Sequence, residues 1–305
     1  MTCACYLRRV LPRLITQGLP FLREQYRKER DREVLKAPNR PRPELWPDTG
    51  LHAAWIGHST VLLKIDGVTI LTDPVFSQRI GVTLGPVTIG PRRLVAPALT
   101  LKQTPRPDLI LLSHAHMDHF DIPSLRGLES AKTGVVTATK TSDLLRTRRY
   151  REVKELGWNE TAEIGGVSVR AFEVRHWGAR MQTDTYRGYN GYLIETPRYR
   201  VIFGGDTAET DSFLPLRIAG PVDLAIMPIG AYNPWIRVHC TPEQALQMAD
   251  DAGAKFVLPV HHQTFELSQE PLTEPIGRMK AALAEAPERL GWQAIGQEFH
   301  LPAHD

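Results

Sequence analysis

The sequence is poor in cysteine, in long apolar runs and in net charge. Its 305 residues include only three cysteines, Cys3, Cys5 and Cys240. So small and odd a set argues against a disulfide framework and fits a reducing compartment. No run approaches the roughly 18 apolar residues that a membrane-spanning helix needs, and the N-terminus lacks the continuous apolar core of a secretory signal. These absences predict a cytoplasmic protein.

The formal net charge of +3 is too small to indicate a nucleic-acid partner. The charge is also unevenly spread along the chain. Residues 1–42 hold eleven Arg and Lys against four Asp and Glu, a net charge of +7 that leaves −4 for the rest of the chain. A nuclease would be expected to show a larger basic surface on its main body, so we expect no nucleic-acid ligand.

The basic N-terminal segment has apolar residues at the helical spacing of three and four, interrupted by Pro12, Gly18 and Pro20. We favour a broken helix whose apolar stripe packs on the body of the protein. The alternative is peripheral contact of residues 1–35 with an anionic membrane surface. Four prolines within residues 37–47 predict a stiff connector. The predicted division is an arm with its connector, residues 1–45, and one folded domain, residues 46–305.

The folded domain is predicted to consist mainly of short strands. Ten apolar, β-branched runs recur between HAAWIG, at residue 52, and KFVLPV, at residue 255. Two helices are predicted, one in TPEQALQMADDAG with Thr241 as its N-cap and Gln244 completing a capping box, and one in EPIGRMKAALAEA. Many strands with scattered helices indicate a single α/β sandwich.

The stretch HAHMDH places four metal-binding side chains within six residues, directly after the apolar run DLILL. In extended backbone His114 and His116 point to the same side, and a turn must bring Asp118 and His119 to the same centre. Imidazole nitrogens and carboxylate oxygens suit zinc and similar divalent ions. Four ligands on one tetrahedral ion would leave no open position, so the spacing favours two ions. Further candidates follow other apolar runs at His176, Asp206, His261 and His262.

These motifs resemble those of the metallo-β-lactamase superfamily. The flanking motifs WIGHST, GPRR, RHWGAR, FGGDT, PIGAYNP and TFELSQEP further resemble the branch of the N-acylphosphatidylethanolamine-hydrolysing phospholipases D, which is related to the ascorbate-6-phosphate lactonases. The resemblance covers about residues 46–275. It implies an αββα sandwich of the metallo-β-lactamase type and a hydrolase domain that binds two divalent ions.

The resemblance also implies a ligand for each ion position. One ion would be held by His114, His116 and His176, and the other by Asp118, His119 and His261. Asp206 would bridge both ions, with a hydroxide between them. Zn²⁺ is the first choice, and Mn²⁺ or iron is an alternative because His and Asp sites discriminate poorly between these metals. The chain departs from the family at HHQTF, where the family usually has HWGTF; alignment through Thr264 and Phe265 makes His261 the ligand.

Catalytic roles are expected for Asp118, Asp206 and His239. His239 precedes the capped helix, at a place where the resembled branch has a histidine near the substrate, and it could donate a proton to the leaving group or hold a phosphate oxygen. Asp73 is expected to hydrogen-bond a ligand histidine or its own turn. His58 in GHST could have a similar role behind a ligand, but a structural histidine is favoured.

Two larger sets of side chains have both a functional and a structural interpretation. Aromatic and methionine side chains could line an acyl-chain site or pack within loops: Trp177, Met181, Tyr186, Tyr189, Tyr232 and Trp235. Arginines could hold a phosphate through their guanidinium groups, although most arginines are simply solvated: Arg92, Arg93, Arg175 and Arg180.

The favoured function is hydrolysis of a phosphodiester in a lipid-like substrate, as the resemblance implies. Two divalent ions, two aspartates and one hydroxide together carry a net charge of about +1, which the single negative charge of a phosphodiester would neutralise. The first alternative is a lactonase that acts on a small, perhaps phosphorylated, lactone. The alternative from another class is a binding protein that kept the fold without catalysis.

Overall fold

The strands form where β-branched and aliphatic residues recur. The computed structural model describes residue 29 and residues 32–85, 87–181 and 183–302, and fifteen strands form within these ranges. They are β1 (Leu51–Gly57), β2 (Thr60–Ile65), β3 (Val68–Thr72), β4 (Val82–Leu84), β5 (Val87–Ile89), β6 (Leu109–Leu112), β7 (Gly134–Ala138), β8 (Glu152–Leu156), β9 (Thr161–Ile164), β10 (Val167–Phe172), β11 (Gly191–Glu195), β12 (Arg200–Phe203), β13 (Val222–Pro228), β14 (Ala254–Val260) and β15 (Glu298–Leu301). The ten strands predicted from apolar runs are confirmed; β4, β5, β8, β9 and β15 are additional.

Three α-helices form in the same ranges: α1 (Ile122–Gly127), α2 (Pro242–Asp251) and α3 (Glu274–Ala282). Helix α2 begins with the predicted capping box, in which Thr241 and Gln244 each accept a hydrogen bond from the other's backbone N–H. Helix α3 confirms the second prediction. Short 3₁₀ helices span Pro43–Leu45, Ser142–Leu144, Thr147–Arg149, Asp211–Arg217 and Pro287–Arg289.

The strands pair into two large sheets and a small hairpin. The seven-stranded sheet has the order β15-β1-β2-β3-β6-β7-β8, the six-stranded sheet has the order β14-β13-β12-β11-β10-β9, and β4 pairs with β5. Strands β3, β6, β7 and β8 run parallel in the first sheet, as β12, β13 and β14 do in the second. The carboxyl ends of parallel strands therefore meet at one edge of each sheet.

The two sheets bury a common apolar layer between them. Trp55 and Leu111 of the first sheet pack in one cluster with Tyr192 and Ile226 of the second. The outer face of the first sheet packs against residues of and around α1, including Leu125. The outer face of the second sheet is covered by α2, α3 and the 3₁₀ helix Asp211–Arg217. This four-layer arrangement confirms the predicted αββα sandwich.

The described part of the N-terminal region lies against the sandwich. Leu35 forms a parallel bridge with Val95, and Trp46 is buried and donates its indole N–H to Glu298 at 2.6 Å. Residues 1–28, which carry most of the predicted helix and membrane-contact segment, lie outside the described residues, so that interpretation and the boundary at residue 46 stay predictions. Within the described ranges, no helix combines the length and apolar character needed to cross a membrane.

Candidate metal centre

The loop after β6 brings the side chains of HAHMDH together. Strand β6 is fully buried and ends at Leu112, so the chain leaves the sheet edge at Ser113. The carbonyl of His116 then accepts hydrogen bonds from the backbone N–H groups of His119, at 3.1 Å, and Phe120, at 2.8 Å. This is the turn that the sequence requires to bring Asp118 and His119 back to the first two histidines.

One nitrogen cluster forms around His116. Its Nδ1 lies 2.8 Å from His114 Nε2 and 3.2 Å from His176 Nε2. His176 follows β10 and donates from Nδ1 to the carbonyl of Val238 at 2.8 Å, which leaves its Nε2 lone pair facing the cluster. Burial lowers the pKa of His116 to about 3 and that of His176 to about 4, so both rings are neutral near pH 7 and suited to bind a cation.

A second cluster forms around the Asp118 carboxylate. Asp118 Oδ2 lies 3.6 Å from His119 Nε2 and 3.5 Å from His261 Nε2. His119 is fixed from behind, since its Nδ1 lies 2.7 Å from Asp73 Oδ2. Asp73 also accepts hydrogen bonds from the backbone N–H and the hydroxyl of Ser113. The structure thus places Asp73 where the sequence predicts it, behind a candidate ligand.

Asp206 lies between the two clusters. It follows β12, and its Oδ2 lies 3.1 Å from His119 Nε2 and 3.2 Å from His261 Nε2. The same oxygen lies 3.9 Å from His114 Nε2 and 3.8 Å from His176 Nε2. One carboxylate therefore reaches nitrogens of both clusters, which is the position expected of a bridging ligand.

The cluster has donor atoms that the protein itself does not satisfy. Buried atoms without a hydrogen-bond partner among the described residues include His116 Nε2, His119 Nε2, His261 Nε2 and Asp206 Oδ1. Unpartnered buried polar groups are costly and rare, and the unpartnered Nε2 atoms of His119 and His261, 3.1 and 3.2 Å from Asp206 Oδ2, fit a bound cation. His and Asp side chains here form four overlapping groups, and within each group the ligand atoms lie within 4.8 Å of one another. The residues are therefore compatible with metal binding.

The charges of the cluster also fit a cation. Burial opposes ionisation of Asp206, but His119 and His261 hold the pKa of its carboxyl well below the usual range. Burial likewise disfavours protonation of His261, but Asp206 and Asp118 together raise its pKa to about 9. A divalent ion would take the place of protons held between these groups, so its binding would release protons.

The cluster opens on a cleft of about 560 Å³ whose lining includes His116, Asp118, Trp177, Arg180 and Met181. Trp177 is 45% exposed and Met181 is 49% exposed, so both present apolar surface at the mouth of the cluster. The Trp177 ring also stacks parallel to that of His176, with centroids 5.4 Å apart. In contrast, Tyr232 is buried in its loop, as the structural interpretation predicts.

The four candidate arginines have different surroundings. Arg180 lines the cleft and donates to the carbonyls of Ala115, at 3.0 Å, and Phe120, at 2.7 Å; the first lies within HAHMDH and the second directly follows it. Arg93 is fully buried and donates to the carbonyls of Ser77 and Val75. Arg92 donates to the carbonyls of residues 29 and 32, and Arg175 lies in a separate depression beside Glu209.

The remaining histidines are placed as follows. His239 Nδ1 lies 3.9 Å from Asp206 Oδ2 and the side chain is partly exposed, so it stands at the edge of the cluster. His262 points away from the cluster and stacks on Trp55, with centroids 4.5 Å apart, which leaves His261 as the candidate ligand. His58 was expected to be structural, yet its Nε2 lies 3.1 Å from Asp118 Oδ2.

The sequence gives no signal for two contacts that orient the cluster. The Ser113 hydroxyl lies 2.8 Å from His114 Nδ1, and the carbonyl of Val238 orients His176 from 62 residues away. The serine adjoins the motif and could have been suspected. The carbonyl contact depends on tertiary structure alone.

The chain is similar to known proteins over about three quarters of its length. The chain is 36% identical over 244 residues to an uncharacterized protein of Mycobacterium tuberculosis, covering 76% of this chain and 64% of that protein. It is 29% identical over 251 residues to N-acyl-phosphatidylethanolamine-hydrolyzing phospholipase D 1 of Caenorhabditis elegans, covering 76% of this chain and 70% of that one. The chain thus spans less than two-thirds of the length of the mycobacterial relative.

A solved structure shows the fold independently. The metallo hydrolase Igni18 of the archaeon Ignicoccus hospitalis superposes with a TM-score of 0.63 at 18% identity, covering 84% of this chain and 100% of that one. The family model described as a beta-lactamase superfamily domain matches residues 68–262, more than half of the chain. From the match and the fold, the chain belongs to the metallo-β-lactamase superfamily.

Proposed function

We propose that the protein is a metal-dependent hydrolase with two divalent cations, Zn²⁺ by first choice, and that it cleaves a phosphodiester in a lipid-like substrate. The observation that carries the proposal is the position of Asp206. Its Oδ2 lies within 3.9 Å of imidazole nitrogens from both clusters. A pair of cations requires a shared carboxylate between two sets of imidazoles that are neutral or that lose their proton when a cation binds.

The residues divide between the two cation positions. The first would be held by His114 Nε2, His116 Nδ1 and His176 Nε2, the second by Asp118 Oδ2, His119 Nε2 and His261 Nε2, with Asp206 common to both. When bound, two cations would supply Lewis acidity toward a water molecule and a phosphoryl oxygen. No side-chain nucleophile is then needed, and the aspartates serve to bind and to orient.

His239 is the candidate for handling the leaving group. Its Nδ1 has no hydrogen-bond partner among the described residues, and the side chain is 12% exposed beside Asp206. A group in this position can donate a proton to a departing alkoxide or hold a phosphate oxygen. Burial, opposed by the Asp206 carboxylate, lowers the pKa of His239 to about 4, so an anionic substrate would be needed to favour its protonated form.

The cleft supports a lipid-like substrate of negative charge. Trp177 and Met181 offer apolar surface for an acyl chain, and Arg180 adds a guanidinium group to the same lining. Two relatives support the same class by name, since the proteins of Caenorhabditis elegans and Saccharomyces cerevisiae that match this chain are N-acyl-phosphatidylethanolamine-hydrolyzing phospholipases D.

The test combines metal analysis with a substrate panel. The purified protein is expected to retain close to two ions per chain after dialysis, and to hydrolyse a chromogenic phosphodiester and N-acylphosphatidylethanolamine. Several lactones and a cephalosporin serve as comparison substrates. Activity on lactones alone would overturn the phosphodiester assignment and leave the metal centre standing. Retention of one ion or none would overturn the dinuclear proposal, and two ions without turnover of any substrate would favour a binding protein.

A further inference from the structure

We propose that His58 is a positioning residue for the second cation: it holds the Asp118 carboxylate with its side chain and the His261 turn with its backbone. The inference rests on the proposed function, because it requires a cation bound by Asp118, His119 and His261. His58 lies in the turn between β1 and β2, at least 56 residues in sequence from each of these three side chains.

The side chain of His58 contacts the second cluster at the Asp118 carboxylate. Its Nε2 lies 3.1 Å from Asp118 Oδ2, and its ring centroid lies 4.2 Å from that of His261. The side chain is only 1% exposed. A carboxylate that accepts a hydrogen bond from a fixed ring keeps one orientation, which pre-arranges it for a cation.

The position of Asp206 distinguishes a positioning role from a ligand role. Among the described residues, the histidines with a ring nitrogen within 4 Å of its carboxylate are His114, His119, His176, His239 and His261. His58 is outside this set, although its ligand atom lies within 4.8 Å of those of Asp118, His119 and His261. His119 and His261 each lie within 4 Å of both carboxylates, whereas His58 contacts Asp118 alone, which favours a contact with a ligand over a position between the two carboxylates.

The backbone of His58 holds the other half of the second cluster. Its carbonyl accepts the backbone N–H of His261 at 3.2 Å, and its N–H donates to the Thr264 hydroxyl at 2.7 Å. The same carbonyl accepts the Trp55 indole N–H at 2.7 Å. One residue thus links the β1–β2 turn to the turn that follows β14, which carries His261.

Two features of His58 are unfavourable in themselves and are explained by this role. Its backbone has φ of +52°, the left-handed region that a side chain with a Cβ rarely adopts. Its Nδ1 is buried without a hydrogen-bond partner among the described residues. A strained residue with an unpaired nitrogen persists when the surrounding contacts determine its position, and here those contacts are Asp118, His261 and Thr264.

The test compares three substitutions by metal binding. His58→Asn tolerates positive φ but its amide is too short to reach Asp118, and His58→Leu removes the hydrogen bond without a polar replacement. His58→Gln carries an amide nitrogen at about the reach of Nε2. Full-length protein is titrated with Zn²⁺, and with Co²⁺ for its visible absorption, against a chelator of known affinity. Thermal unfolding of each metal-loaded variant is recorded alongside.

The expected result is selective weakening of one ion. His58→Asn and His58→Leu should keep the first ion at wild-type affinity and bind the second about 10- to 100-fold more weakly, with loss of the second increment of Co²⁺ absorption. His58→Gln should restore most of the second ion's affinity. His52→Leu is the matched control, a buried histidine at the other end of β1, and it should bind both ions normally.

Three outcomes would overturn the inference: wild-type affinity for both ions in His58→Asn, an equal loss of both ions, or no rescue by His58→Gln. If His58→Leu does not fold, His58→Asn carries the comparison. Wild-type protein that binds fewer than two ions would overturn the proposed function, and this inference with it. Two ions bound with wild-type affinity in every His58 variant would overturn the inference alone.

Discussion

Strand β1 has a group of histidines at each end, and the two groups differ in how their nitrogens are satisfied. At the start of the strand, His52 Nδ1 lies 2.9 Å from His300 Nδ1, and His52 Nε2 lies 3.0 Å from the Thr49 carbonyl. Trp46 stacks on His52 and meets His300 edge-on. Beyond the end of the strand, the nitrogens of His119 and His261 converge on Asp118 and Asp206 with several atoms unpartnered.

The difference separates a structural group from a candidate metal site. At the first end each His52 nitrogen has one protein partner, so a consistent assignment of protons satisfies the ring. At the second end the nitrogens exceed the available partners, and two carboxylates, the buried Asp206 and the partly exposed Asp118, supply negative charge. Histidines in proximity are therefore weak evidence of a metal site; unpartnered nitrogens that face carboxylates are stronger evidence.

The largest expected effect is that of Asp206→Asn. The substitution removes the charge common to both clusters while keeping the shape of the side chain. Loss of a direct ligand should exceed the roughly 10- to 100-fold that loss of an outer contact costs, so we expect binding of both ions and hydrolysis of a chromogenic phosphodiester to fall by well over 100-fold. Atomic absorption after dialysis measures the first quantity. Full metal content in this variant would contradict the bridging assignment.

A smaller effect is expected for Asp73→Asn. The amide can keep a contact with His119 Nδ1 but loses the charge that orients the ring, so metal affinity should fall by about 10- to 100-fold. Competition with a chromogenic chelator measures the change. The control is Asp66→Asn in the β2–β3 turn, because Asp66 and Asp73 both have positive φ. An equal loss in both variants would mean that the effect is not specific to the site.

His52→Leu tests the other end of the strand. It removes the hydrogen bonds to His300 and to the Thr49 carbonyl, so the free energy of unfolding should fall by about 1–3 kcal/mol. Metal content should remain that of the wild type, because the pair lies at the opposite end of β1. Denaturant unfolding together with metal analysis checks both statements. Loss of metal without loss of stability would show that the two ends are not independent.

The smallest expected effect concerns pH. Burial, together with the neighbouring His52, lowers the pKa of His300, so the unfolded chain binds a proton more readily than the folded one. The stability that this contributes is complete above the unfolded pKa of about 6.5 and is lost progressively as the pH falls from there toward the lower folded pKa. His300→Gln should therefore lose less thermal stability than the wild type between pH 7.5 and pH 5.5. A larger loss in the variant would contradict the sign of the shift.

The sequence predicts the buried strands well and the exposed ones poorly. Strands β6 and β13 are fully buried and appear as continuous apolar runs. Strand β8, with the sequence EVKEL, and β15, with EFHL, are mostly half-exposed and carry charged or polar residues. Their strand character comes from pairing with β7 and β1, which depends on tertiary contacts that a local pattern does not contain.

The candidate site likewise has a part that a local sequence pattern predicts and a part that depends on tertiary contacts. The spacing of His114, His116, Asp118 and His119 is local, and it identifies the loop without a structure. The contacts of His58 with Asp118 and of His176 with the Val238 carbonyl each join segments about 60 residues apart. The WIGHST motif marks the segment around His58 but does not decide between a structural role and a contact with a ligand, because that depends on what lies opposite His58 once both sheets have formed.

The candidate ligands come from both layers of the sandwich: His119 follows a strand of one sheet, and Asp206 and His261 follow strands of the other. A cation held among them would be bound by both layers, so loss of the cation and separation of the two sheets would be thermodynamically coupled. The centre cannot be complete until the chain has been synthesised beyond residue 261, because β14 delivers the last of these side chains.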